Sequence, residues 1–325
     1  MPAALEFQHV TKRYPGAEAP AVDDLSLRVE PGETCVLVGP SGSGKTTAMR
    51  MVNRMVEMTS GDILLDGRSV RDGDASELRR HIGYVIQHVG LFPHRTALQN
   101  IATVPQLLGW PRQRILERAR ELVELVGLDV SLADRYPSQL SGGQRQRVGV
   151  ARALAADPPL MLMDEPFGAL DPITRDRLQG EFERLKERLS TTIVFVTHDI
   201  DEAIRLGDRI AILRQGGVLA QYATPGELLL HPADAFVEEF VGADRALKRL
   251  ALLCVADAEL EPAGAAGSDA PLSPRTSLRD ALAALLQEPE GRLPVADDEG
   301  RLLGCLSVES VHAKLRREAG APSTP

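Results

Sequence analysis

The chain has 325 residues, more than one hydrophobic core usually organises, so a large domain and a small one are expected. Its 43% hydrophobic and 26% charged residues are ordinary for a globular fold, and a net charge of −9 argues against a nucleic-acid binder. No apolar run approaches the ~20 residues of a membrane span, MPAALEFQHV is no signal peptide, and Cys35, Cys254 and Cys305 lack metal-ligand spacing. The expected location is the cytoplasm, with docking on a membrane protein left open.

Leu5–Tyr14 and Ala21–Glu30 read as two strands joined at Pro15-Gly16, and Pro31-Gly32 turns the chain into the β-branched run Thr34–Val38. A glycine-rich stretch, GPSGSGKTT at Gly39–Thr47, comes next, and a helix follows over Thr46–Val56. Gly61–Gly67 is a short strand. From Gly83 to His94 a strand becomes a loop carrying Val89, Leu91 and Phe92, which is unusual for a merely solvated connection. Gln113–Val126 is amphipathic at helical spacing, LSGGQ (Leu140–Gln144) precedes a helix over Arg145–Ala156, and Leu160–Met163 is a buried strand closed by Asp164-Glu165. Asp171–Leu189 is a helix opened by Asp-Pro. Thr192–Thr197 is a strand ending at His198, Asp201–Leu206 is helical, and Arg209–Leu213 pairs with Val218–Tyr222 across Gly216-Gly217. Strands alternating with helices predict an α/β domain with a mainly parallel sheet, flanked by an antiparallel section from the N-terminal pair.

Composition changes after about Asp244. Glu261–Ser277 is rich in Pro, Gly, Ala and Ser and reads as a flexible segment. A short helix, Leu278–Leu286, and two strands, Leu293–Ala296 and Leu302–Ser307, follow.

Strand, glycine-rich turn and helix make G-x-x-x-x-G-K-[ST] a phosphate loop. Gly39, Pro40, Ser41, Gly42, Ser43, Gly44, Lys45, Thr46 and Thr47 are its expected phosphate-binding residues, with free N–H groups at the helix start adding a partial positive charge. Lys45 would reach the β- and γ-phosphates and the Thr46 hydroxyl would ligate Mg²⁺. Asp164, at a strand end, can hold the metal. Glu165 beside it is free to polarise an attacking water, because a phosphate-bound cation relieves the repulsion between the two carboxylates. His198 can contact the γ-phosphate or the water, although a strand-end histidine alone is as readily structural. Gln87 offers an amide to Mg²⁺ or the water, and Tyr14 can stack on a base or simply pack. Ser141, Gly142, Gly143 and Gln144 form a second anion-binding surface at a helix start. If both phosphate-binding elements serve one nucleotide, two chains would each cover the other's ATP.

The order of these motifs, with LMLMDE at Leu160–Glu165 and ALD at Ala169–Asp171, resembles the ATPase subunits of ABC transporters over about residues 5–240. The resemblance implies a P-loop NTPase of ABC type: an α/β ATPase domain over 1–244 with a mainly parallel sheet, an antiparallel β subdomain and an α-helical subdomain. It further implies ATP and Mg²⁺ as cofactors and a head-to-tail homodimer closed by ATP. Tyr14 then resembles the base-stacking residue, Gln87 the Q-loop glutamine, Asp171 the D-loop aspartate, Glu165 the catalytic base and His198 the switch histidine.

Met51–Gly67, Ile82–His94, Tyr136–Pro158 and Phe240–Leu250 resemble, more narrowly, the ATPases of importers for glycine betaine, choline, carnitine or proline betaine. Such a subunit would sit on the inner face of the cell membrane, bound to permease subunits that an external solute-binding protein feeds. Arg292–Val311 resembles a CBS repeat, which implies a small α+β domain over 245–315 and a tail over 316–325. Those importers commonly carry two such repeats; this chain has room for one, and it ends without an acidic tail. Rival readings are an ABC importer for methionine, polyamine or another amine, a non-transport ABC machine, and a nucleotide sensor.

Overall fold

The computed structural model describes residues 4–86, 89–168, 170–262 and 271–320. The chain divides into two compact units, Met1–Thr224 and Pro225–Pro325.

Among the described residues of the first unit, ten strands form: β1 (Leu5–Lys12), β2 (Val22–Val29), β3 (Thr34–Val38), β4 (Ser60–Leu65), β5 (Arg68–Ser69), β6 (Ile82–Val85), β7 (Leu160–Asp164), β8 (Thr192–Thr197), β9 (Arg209–Leu213) and β10 (Leu219–Ala223). They form two sheets. One is antiparallel, in the order β2-β1-β4-β5; the other has the order β10-β9-β3-β8-β7-β6 and is parallel except for β10. The burial pattern explains the sequence pattern. Every residue of β3, β7 and β8 is buried, so these strands need unbroken apolar runs. β2 alternates, with Val22, Leu25, Leu27 and Val29 inside and Asp23, Asp24 and Arg28 outside.

The two sheets share one core. Leu5, Phe7 and Leu25 of the antiparallel sheet meet Met49 and Met51 of the helix Lys45–Val52, and Leu37, Leu162 and Val196 close it from the parallel sheet. Each such fully buried side chain contributes about 1.5–3 kcal/mol. The register then sets the site. Val38 pairs with Thr197 and Asp164 with Val196, so β3, β8 and β7 finish side by side. Carboxyl ends of parallel strands are where open α/β sheets bind ligands.

Helices Arg112–Leu125, Gly142–Leu154 and Pro172–Lys186 match the expected segments within a few residues. The helix after LSGGQ begins at Gly142, not Arg145, because Ser141 and Gln144 form a reciprocal capping box that draws both glycines into the first turn.

The second unit packs helices Pro225–Leu230, Arg245–Leu252, Leu278–Leu285 and Val308–Gly320 with a hairpin of β11 (Arg292–Ala296) and β12 (Leu302–Ser307). Its core contains Leu250, Val255, Leu278, Leu285, Val295 and Leu306. Helices Pro225–Leu230 and Arg245–Leu252 pack together, so this unit starts before the composition change after Asp244. The stretch 261–277, read from composition as flexible, is anchored where it is described. Glu261 bridges Cys305 on β12 and Leu272 bridges Val295 on β11, while 263–270 lie outside the described residues.

Candidate nucleotide site at the ends of β3, β7 and β8

The segment after β3 curls through left-handed glycines into the helix Lys45–Val52. Gly44 has φ +81°, and a Cβ there would lie 2.1 Å from the Ala21 carbonyl oxygen; at Gly39, φ +155°, it would lie 2.2 Å from that of Leu213. Only glycine fits either place. The Lys45 ammonium donates to the carbonyls of Gly39 at 2.8 Å and Pro40 at 2.9 Å, and to Ser43 Oγ at 3.3 Å. Burial lowers its pKa, while Glu165 and Asp164 pull it back up.

Thr46 Oγ1 donates to Asp164 Oδ1 at 3.0 Å. Asp164 is buried, and that burial raises its carboxyl pKa; the Thr46 hydroxyl and the charges of Arg50 and Lys45 oppose the rise. A hydroxyl and a carboxylate converging this way are hard oxygen donors of the kind Mg²⁺ takes beside phosphate oxygens. No cluster of three or more His, Cys, Asp or Glu side chains suited to a metal exists among the described residues. Arg50 Nη2 stands 3.8 Å from Asp164 Oδ2. The sequence reading missed Arg50; its place four residues after Thr46, on the same helix face, was the available signal.

Glu165 follows Asp164 with φ +43°, a left-handed backbone rare outside glycine. Its N–H is tied to the Val196 carbonyl at 2.9 Å, which holds the turn. Such strain costs on the order of 1–3 kcal/mol and gathers at functional sites. The turn brings Glu165 Oε1 to 3.3 Å from His198 Nδ1. Ser41, Gly42, Gly44, Lys45, Thr46, Thr47, Glu165 and His198 line one cleft of about 320 Å³.

The remaining expected residues lie elsewhere. Tyr14 is 41% exposed, with Lys12 Nζ 5.0 Å from its ring centre, and does not line the cleft. Ser141 and Gly142 are exposed, and none of Ser141–Gln144 lines the cleft. Asp171 caps the helix Pro172–Lys186 by accepting from Thr174 N–H at 3.0 Å, a bond that holds its carboxyl below the usual range. Gln87 and Ala169 lie outside the described residues.

The family description "ABC transporter" matches residues 22–168. The choline transport ATP-binding protein OpuBA of Bacillus subtilis (strain 168) is 50% identical over 309 residues, 94% of this chain and 79% of that protein. The glycine betaine uptake system ATP-binding protein YehX of Escherichia coli (strain K12) is 48% identical over 308 residues, 94% of this chain and 98% of that one. Among solved structures, the dimeric post-hydrolysis state of the ATP-binding cassette MJ0796 bound to ADP and Pi aligns with TM-score 0.60 and 34% identity, covering 68% of this chain and 98% of that chain. This chain belongs to the ABC transporter family, as an ATP-binding and ATP-hydrolysing subunit. Within that family it resembles the subunits of glycine betaine, choline and carnitine importers.

Proposed function

We propose that this chain is the energy-coupling ATPase of an importer for quaternary-ammonium osmoprotectants such as glycine betaine, choline, carnitine or proline betaine. The observation that carries the reading is identity near one half along almost the whole chain to two proteins named for choline and glycine betaine transport. The cleft supplies the chemistry. The loop N–H groups and Lys45 would hold the β- and γ-phosphates, while Thr46 and Asp164, with Gln87, would hold Mg²⁺, which supplies charge neutralisation on the phosphates. Glu165 would take a proton from the attacking water, and His198, 3.3 Å away, would orient it against the γ-phosphate.

Two chains would pair head to tail, each placing Ser141–Gln144 and Asp171 against its partner's nucleotide. Support comes from the signature's exposed place outside its own cleft and from the likeness to a dimeric cassette. The subunit would sit on the inner face of the cell membrane, no helix of the described residues being long and apolar enough to cross it. There the loop Val89–His94, with Phe92 41% exposed, would meet the permease subunits, which a solute-binding protein would feed. The second unit would act as a single CBS-like regulatory or dimerisation domain, a reading supported by its helix–strand–strand–helix order from Leu278 to Gly320.

Uptake decides the reading. Cells lacking their own osmolyte importers, given this chain with its permease and binding-protein genes, are expected to accumulate radiolabelled glycine betaine or choline in an ATP-dependent way. Accumulation of methionine or a polyamine instead would overturn it.

A further inference from the structure

The loop Val89–His94 leaves β6, yet side chains of two other elements hold it. Arg152, on the helix Gly142–Leu154, donates through Nη2 to the Val89 carbonyl at 2.6 Å and through Nη1 to the Gly90 carbonyl at 2.7 Å. Asn100, fully buried on the helix Ala97–Ile101, accepts from Phe92 N–H at 2.7 Å and donates to the carbonyls of Phe92, Arg95 and Thr96. These two helices pack on each other.

Three features make the Arg152 contact costly and therefore informative. Burial lowers the guanidinium's pKa, and no carboxylate is within ion-pair reach among the described residues, so a charge is spent on two neutral carbonyls. Val89 sits at φ +55°, where a β-branched residue is a genuine outlier, and Gly90 shares that φ. Gly149, one turn before Arg152, is the gap that admits Val89: a Cβ on it would lie 2.4 Å from Val89 Cγ1. A strained residue held by a half-buried charge in a slot made by a missing side chain is a preorganised contact rather than a resting loop.

We infer that Arg152 and Gly149 strap the permease-facing loop to the helix that begins at the signature, so that loop and signature move as one body. The inference rests on the reading of Val89–His94 as the permease contact. Arg152 is a positioning residue: it does not line the nucleotide cleft, and through its bonds to the Val89 and Gly90 carbonyls it fixes where the Phe92 tip points. When the signature engages a partner's nucleotide, the loop is carried with it, and Val89 is released from its left-handed state only if the guanidinium lets go.

Two measurements on the full chain test this. Amide hydrogen exchange over 89–96 is expected to quicken at least tenfold in Arg152→Ala and in Gly149→Ala, the latter altering no charge and raising helix propensity, so that it stays informative should Arg152→Ala fold poorly. The free chain's ATP turnover should stay within twofold of the parent. In vesicles holding the chain with its permease subunits, the stimulation of turnover by the permease should fall at least fivefold. Arg152→Lys, which keeps a cationic donor for the two carbonyls, should rescue both readouts in part relative to Arg152→Met, a side chain of similar length without the charge; an arginine that only fills space would show no such rescue. Unchanged exchange, quickened exchange with undiminished stimulation, or failure of the rescue each overturns the inference. The exchange arm needs no permease, so a parent chain that its permease does not stimulate counts against the docking reading and not against the strap.

Discussion

Thr46 Oγ1 and Asp164 Oδ1, 118 positions apart in the chain, meet at 3.0 Å because β3 and β7 both flank β8 and end level with it. That one bond joins the phosphate loop to the strand-end carboxylates and makes the catalytic assignments testable.

Glu165→Gln keeps the shape of the side chain and removes its basicity. Turnover measured by phosphate release is expected to fall about 10²–10⁴-fold, the range for losing a general base. ATP binding should persist, and size-exclusion chromatography with ATP and Mg²⁺ should show a dimer. Unchanged turnover would remove Glu165 from the reaction.

Lys45→Ala deletes the ammonium that Gly39 and Pro40 now hold at the loop's centre. A charge-assisted hydrogen bond is worth about 1.5–3 kcal/mol, so nucleotide affinity should drop roughly 10- to 100-fold. Titration with a fluorescent ATP analogue reads this directly. The fold should survive, since the lysine's hydrogen bonds among the described residues fall within its own loop.

Gly44→Ala behaves differently. Its new Cβ would fall 2.1 Å from the Ala21 carbonyl oxygen on a backbone at φ +81°. About 2 kcal/mol or more should be lost, lowering the thermal midpoint by about 4–8 °C even without nucleotide. A midpoint that is unchanged would mean the loop relaxes freely away from Ala21.

Glu202 gives a stability test against pH. It is buried and accepts from Gln179 Nε2 at 2.8 Å. Burial raises its pKa from the ordinary 4.5, Asp199 adding to the rise while the Thr197 hydroxyl, Gln179 and Arg175 oppose it. The native chain therefore holds this proton to higher pH than the unfolded chain, so this group's contribution falls as pH rises through the window above 4.5 and is level beyond its folded pKa. Glu202→Gln should gain stability relative to the parent as pH rises above 4.5, measured by urea unfolding. A relative loss over that range would show that its hydrogen bonds and Arg175 outweigh burial.

The parallel sheet was legible because Thr34–Val38, Leu160–Met163 and Thr192–Thr197 are continuous apolar runs bounded by glycine, carboxylate or histidine. The cleft was legible for the same reason: its residues sit where those runs stop. Arg50, Arg152 and Glu202 were not. Each sits inside a helix where a charged residue ordinarily faces solvent, and only the packing of distant segments shows which partner it meets, even for Arg50, which stays exposed. The start of the second unit was also hidden, because Pro225–Leu230 differs little in composition from what precedes it and is assigned by its contact with Arg245–Leu252.

Crowding at the phosphate loop also limits how this ATPase can evolve. Gly39 and Gly44 are fixed by the carbonyls of Leu213 and Ala21, neighbours that no nucleotide contacts need explain. Drift at either position would be purged for folding before it was ever screened for ATP use. With Lys45, Thr46, Glu165 and His198 tied to the chemistry, selection on nucleotide affinity is left with Ser41 and Thr47 of the cleft, which makes those two side chains the place to look for adaptation among otherwise similar subunits.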